Sequence, residues 1–161
     1  MSNHDPFNTP EKRYVRDQWF NAARVIKKNN NVAFINYCTF PGRNCHDVIR
    51  LKSLLKTKEI GKTFYDEKSL TFFEKDIELI TEIRNKLPGA RFFNGFFEDF
   101  VKAAWEGRNI RPGQNSTEIN PFDYFPYDVI NLDYTGPGFK HNGKKTSSEM
   151  SSIYSLFEIQ A

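Results

Sequence analysis

The sequence predicts a three-layer α/β sandwich with a mainly parallel sheet of about four strands, and three observations carry that prediction. Short apolar runs rich in β-branched and aromatic residues alternate four times with segments whose apolar residues recur at helical spacing. The first run, residues 32–38, passes through Phe40-Pro41-Gly42 into a helical pattern, the strand–turn–helix order from which open α/β sheets build ligand sites. The 16 phenylalanines fall largely in pairs, Phe72-Phe73, Phe92-Phe93 and Phe96-Phe97. Such pairs fit aromatic-rich strands or one large apolar face better than base-stacking platforms. Right-handed crossovers then give the strand order 3-2-1-4, with the ligand expected at the switch point between strands 1 and 4.

The elements follow in order. Residues 1–8 are polar and expected to form a mobile tail. Thr9-Pro10-Glu11 supplies a capping hydroxyl, a proline at the first helical position and an acid in the first turn. Val15, Trp19, Ala22, Ala23 and Ile26 then form the apolar stripe of a leading helix that ends at Asn29-Asn30-Asn31. After the first strand and turn, residues 45–55 read as a helix burying Val48, Ile49, Leu51, Leu54 and Leu55. Residues 56–68 read as a charged loop. Residues 69–73 form strand 2, with Glu74 at its end. Asp76 caps a helix with Ile77, Leu79, Ile80, Ile83 and Leu87 inward, closed by Pro88-Gly89. Residues 90–94 form strand 3, and residues 97–105 a helix with Phe97, Phe100, Val101, Ala104 and Trp105 inward. Residues 107–126 read as a long loop, a length that implies a function or an insertion. Residues 127–133 are strand 4, and Ser147 or Ser148 caps a last helix.

At 161 residues the chain fits one domain, residues 1–161, with room for a real core. The net charge of +3 does not by itself imply nucleic acid. Cys38 and Cys45 flank the turn, with no signal peptide, membrane span or cysteine framework in the sequence, so a cytoplasmic setting without membrane association is expected. Cys38, Cys45 and His46 lack a CxxC or a second ligand pair, so they read as small groups packed beside a turn, and no metal is expected.

Polar or turn features fall at the carboxyl ends of the strands: Pro41-Gly42, Glu74 and Asp133, with Gly95-Phe96-Phe97 completing the rim. A carboxylate ending strand 2 can accept the hydroxyls of a ribose, or can simply stabilise the helix that follows it. At these residues the chain resembles the class I S-adenosylmethionine-dependent methyltransferases, whose fold is Rossmann-like. Their first motif is an apolar strand, an acid and a GxGxG turn. Residues 35–42 laid on it put Asn36 at the acid and Cys38, Phe40 and Gly42 at the three glycines. Glu74 matches the acid after strand 2, Asp133 the acid of strand 4, and Phe96 the region that holds adenine. The resemblance runs roughly from residue 9 to residue 133.

The resemblance implies S-adenosylmethionine as cofactor, held by Asn36, Phe40, Pro41, Gly42, Glu74, Phe96 and Asp133. It also implies Asp133 and Tyr134 as the residues that orient a target amine, such as that of a nucleic-acid base. In the amino-methylating members an Asp/Asn-Pro-Pro-aromatic stretch stands there. This chain has Asp133-Tyr134-Thr135-Gly136-Pro137, which keeps an acid and an aromatic without the paired prolines. Only Gly42 of the three glycines survives. A pyrophosphate needs glycine for close backbone approach, so the pattern suits a phosphate-free cofactor better than a nicotinamide dinucleotide. The family's sheet has seven strands and four are legible here, which implies a partner chain or a further half completing the sheet. Lys140, Lys144, Lys145 and the arginines of the leading helix make nucleic acid a candidate partner. The other reading is a non-catalytic methyltransferase-like domain that serves as a protein or nucleic-acid interaction module.

Overall fold

The computed structural model describes residues 9–30, 34–55, 66–113, 116–132 and 148–160. Among these, helices α1 (Pro10–Asn30), α2 (His46–Leu55), α3 (Ile77–Lys86), α4 (Phe97–Trp105) and α5 (Ser148–Gln160) alternate with strands β1 (Tyr37–Thr39), β2 (Leu70–Glu74), β3 (Arg91–Asn94) and β4 (Val129–Asn131). All pairings are parallel and the order is β3-β2-β1-β4. This is the Rossmann-like α/β sandwich expected from the pattern. No helix among the described residues is long and apolar enough to cross a membrane.

Side chains alternate across the sheet, and both faces are covered. On one face α1, α2 and α3 pack Phe20, Ala23, Val48, Leu51 and Ile83 against Ile35, Tyr37, Leu70 and Phe72. On the other, α4 and α5 pack Phe97, Phe100, Val101 and Leu156 against Cys38, Phe73, Phe93 and Tyr127. The phenylalanine pairs are explained by this alternation. Phe72 serves the first core and Phe73 the second; Phe92 packs against the first and Phe93 lies within the second. Phe73 sits at the middle of an aromatic cluster, 5.1 Å from Phe93, 5.2 Å from Phe97 and 4.9 Å from Phe100. The two thiols likewise divide between the cores, Cys45 in the first and Cys38 in the second, and both are free.

Two of the expected caps form at Thr9 and Asp76, while the cap expected at Ser147 or Ser148 lies outside the described side chains. Thr9 Oγ1 accepts from the Lys12 amide at 3.4 Å, and Asp76 Oδ1 accepts from the amides of Glu78 and Leu79 at 2.9 and 3.2 Å. Helix faces are rotated from the expectation in several places. On α1 Phe20 and Ala23 are buried, whereas Val15, Trp19 and Ala22 are exposed. Ile49, Ile77 and Trp105, expected inward, also face solvent, while Ala103 is buried. The strands are shorter than the apolar runs that announced them, since β1 has three residues and Phe34 is exposed. An expected face is drawn from hydrophobicity alone; the actual face is set by which residues meet the sheet.

The described parts of the expected loop, residues 107–113 and 116–126, carry structure of their own. Ile110 and Ile119 form an antiparallel bridge, and Asn120 caps a short 3-10 turn at Pro121–Tyr124. Ile110, Ile119, Tyr124 and Phe125 pack on the second core. Arg50 and Asp17 tie α2 to α1 through a two-pronged ion pair, one contact of which measures 2.7 Å, and this bond holds the Asp17 carboxyl below its usual range.

Replacing Phe73 by alanine removes the centre of the aromatic cluster and should lower the unfolding free energy in urea by about 3–5 kcal/mol. Phe96→Ala, at a side chain 57% exposed, should stay within about 0.5 kcal/mol.

Candidate functional site

From β1 the chain moves outward through β2 to β3, then returns to the other side of β1 as β4. The helices that follow β1 and β3 therefore lie on opposite faces, the arrangement in which an open α/β sheet forms a crevice at the carboxyl ends of its strands. Thr39 and Asn131 stand opposite one another there, each the last residue of its strand.

Beneath them lies Asp47, in the first turn of α2 and 3% exposed. A carboxylate this deep is tolerable only if its lone pairs are met by donors. The Tyr37 hydroxyl donates to Oδ2 at 2.7 Å and the Thr39 hydroxyl at 2.6 Å, with Asn131 Nδ2 at 3.4 Å; the Val48 amide donates to Oδ1 at 2.9 Å. The N-terminal end of α2 adds a favourable dipole. Burial first, and the Asp47 charge second, push the Tyr37 phenol well above its free range, so Tyr37 stays a donor. Asp47 carries no motif, and sequence reasoning missed it. The signal available was the pair Tyr37 and Thr39, hydroxyls on the same face of one strand, facing an acid that opens the next helix.

Asn131 joins this network to the surface. Together with Leu132 it forms one wall of a cleft of about 280 Å³, whose other wall is α1 through Val15, Arg16 and Trp19. The α1 residues expected in the core thus line the rim of the crevice. Asp133 and Tyr134 follow directly on Leu132 and lie outside the described residues, as do Lys140, Lys144 and Lys145.

The turn after β1 is held by its own bonds. The Phe40 amide donates to Asn131 O at 3.4 Å, the Cys45 amide to Gly42 O at 3.2 Å, and Lys86 Nζ to Arg43 O at 2.6 Å. Gly42 has φ +56°, and a Cβ there would meet nothing within 4 Å. Cys45 adopts φ 49°, a left-handed conformation that costs a non-glycine residue about 1–2 kcal/mol. The Phe40 ring turns away from the turn and joins the second core, 6.4 Å from Phe73 and 6.0 Å from Phe97. Pro41 is buried behind it.

Glu74 ends β2, and its Oε1 accepts from the Lys75 and Asp76 amides at 2.8 and 3.0 Å. Its Oε2 has no hydrogen bond among the described residues. The Gly95 amide donates to Glu74 O at 3.1 Å, which brings the start of the β3–α4 turn beside it, and the exposed Phe96 ring lies under Lys75 Nζ at 5.6 Å. Glu74 and Phe96 are thus brought together on the carboxyl edge.

Asn36 is placed elsewhere. It precedes β1, so three strand residues, roughly 10 Å, separate it from Phe40. Its amide donates to Asp128 Oδ2 at 2.7 Å, its Nδ2 to Tyr124 O at 3.1 Å and Pro126 O at 2.7 Å, and its Oδ1 accepts from Arg91 at 2.8 Å. Asn36 closes the amino edge of the sheet and does not reach the crevice; the motif alignment placed it there because register alone cannot show where a strand begins. A larger hollow of about 450 Å³ lies at that edge, lined by Asn36, Arg91, Asp66 and Asp128. Its carboxylates bond to the amides of Asn36 and Lys68, and Arg91 stacks on Tyr124 at 4.7 Å, while Arg91 Nε is buried without a hydrogen-bond partner among the described residues. Neither hollow is lined by Phe40, Pro41, Gly42, Glu74 or Phe96. Among the described residues no group of three His, Cys, Asp or Glu side chains could hold a metal ion.

Asp47→Ala would strand the Tyr37 and Thr39 hydroxyls and the Val48 amide, and should destabilise the protein by about 3–5 kcal/mol in urea, with Asp47→Asn costing less. Burial, with the Asp47 charge second, raises the Cys45 thiol from 9.0 to about 11. The unfolded chain therefore sheds that proton first, so the stability present below pH 9 should be lost as pH climbs from 9 to about 11, and Cys45→Ala should flatten that fall in pH-dependent urea titrations. In comparisons with known proteins, no family model, curated protein or solved structure matches this chain.

Proposed function

We propose that this is an S-adenosylmethionine-dependent methyltransferase-type domain that binds its cofactor along the carboxyl edge of the sheet and acts on an amine. The observation that carries this reading is the co-location of Glu74, with Oε2 open, and the exposed Phe96 ring across the ends of β2 and β3. These two fit the adenosine end, Glu74 by accepting from a ribose hydroxyl and Phe96 by packing on the purine. At the methionine end the fit is partial. The Pro41-Gly42 turn presents open space at Gly42, while Phe40 stands at the middle glycine position with its ring in the core. When bound, the cofactor supplies an electrophilic methyl group.

The chain's own part is placement. Methyl transfer to an amine asks mainly for in-line positioning, so few catalytic groups are needed. By the resemblance, Asp133 and Tyr134 orient the amine. Asn131, held by Asp47 and Thr39, fixes the end of β4 from which they follow. β4 pairs only with β1 among the described residues, and α5 packs against α4, its Gln160 Oε1 accepting from the Tyr127 amide at 2.7 Å. Among the described residues no strand lies on the other edge of β4, which is where a further strand or a partner chain would complete the sheet.

A second reading, a non-catalytic domain of the same type serving as an interaction module, is favoured by Phe40 in the core and by Glu74 Oε1 capping its own turn. Calorimetric titration with S-adenosylmethionine separates the two. Saturable binding that Glu74→Ala weakens tenfold or more, about 1.4 kcal/mol, supports the first. No heat at millimolar ligand, with an unchanged circular-dichroism spectrum, removes it in favour of the second.

A further inference from the structure

We draw no further inference here: the strongest candidate, the hollow of about 450 Å³ at the amino edge of the sheet, beside which Arg91 Nε, Thr71 Oγ1 and the Tyr127 hydroxyl are buried without hydrogen-bond partners, carries the acids Asp66 and Asp128 alongside its cations Lys68 and Arg91, and nothing in the structure shows room for a ligand at those three atoms or what would occupy the hollow.

Discussion

A buried carboxylate sets the geometry of the sheet's central crevice. Asp47 lies under the switch point and is stable there only because Tyr37, Thr39, Asn131 and the first turn of α2 all direct donors at it. Those groups come from β1, from β4 and from the helix between β1 and β2. The central strand, its neighbour across the switch point and the helix that follows the turn are therefore positioned by one acceptor. Shifting β1 by one residue would turn Tyr37 and Thr39 to the opposite core and leave the charge without its two hydroxyl donors.

The two ends of the strands have opposite characters. At the amino edge Asn36 uses its amide and its whole side chain to hold Asp128, Tyr124, Pro126 and Arg91, so bonds between loops line the hollow there. At the carboxyl edge Asn131 has a partner on one side and, among the described residues, borders a cleft on the other. Two asparagines of similar sequence surroundings thus do different work, and the difference follows from which end of a three-residue strand each occupies.

The layered architecture was legible because it rests on patterns that survive small errors of register. Alternating element types, Asp76 as a cap, Thr9-Pro10 as a helix start and the phenylalanine pairs all point the same way. What was not legible depends on rotation and depth. Trp19 looked like a core residue because tryptophan is apolar, yet its neighbour Phe20 meets Tyr37 at 5.5 Å and takes that place. Asp47 drew no reading from the sequence, since nothing in its own neighbourhood announces burial. Glu74 ends β2 and Phe96 immediately precedes α4, the strand-end positions that the element order alone gives. Phe40 at a glycine position was visible in the sequence, but where its ring would go was a question of packing.

The pairing of β1 has a consequence for the order of assembly. β1 meets β2 through Cys38 and Thr71, 33 residues along the chain, but meets β4 through Cys38 and Ile130, 92 residues along. Closing the shorter loop is entropically easier, so one flank of the central strand can zip early while its other flank waits. During that interval the chain presents an unpaired strand edge together with half of the Asp47 cage, and the arrival of β4 seals both at once.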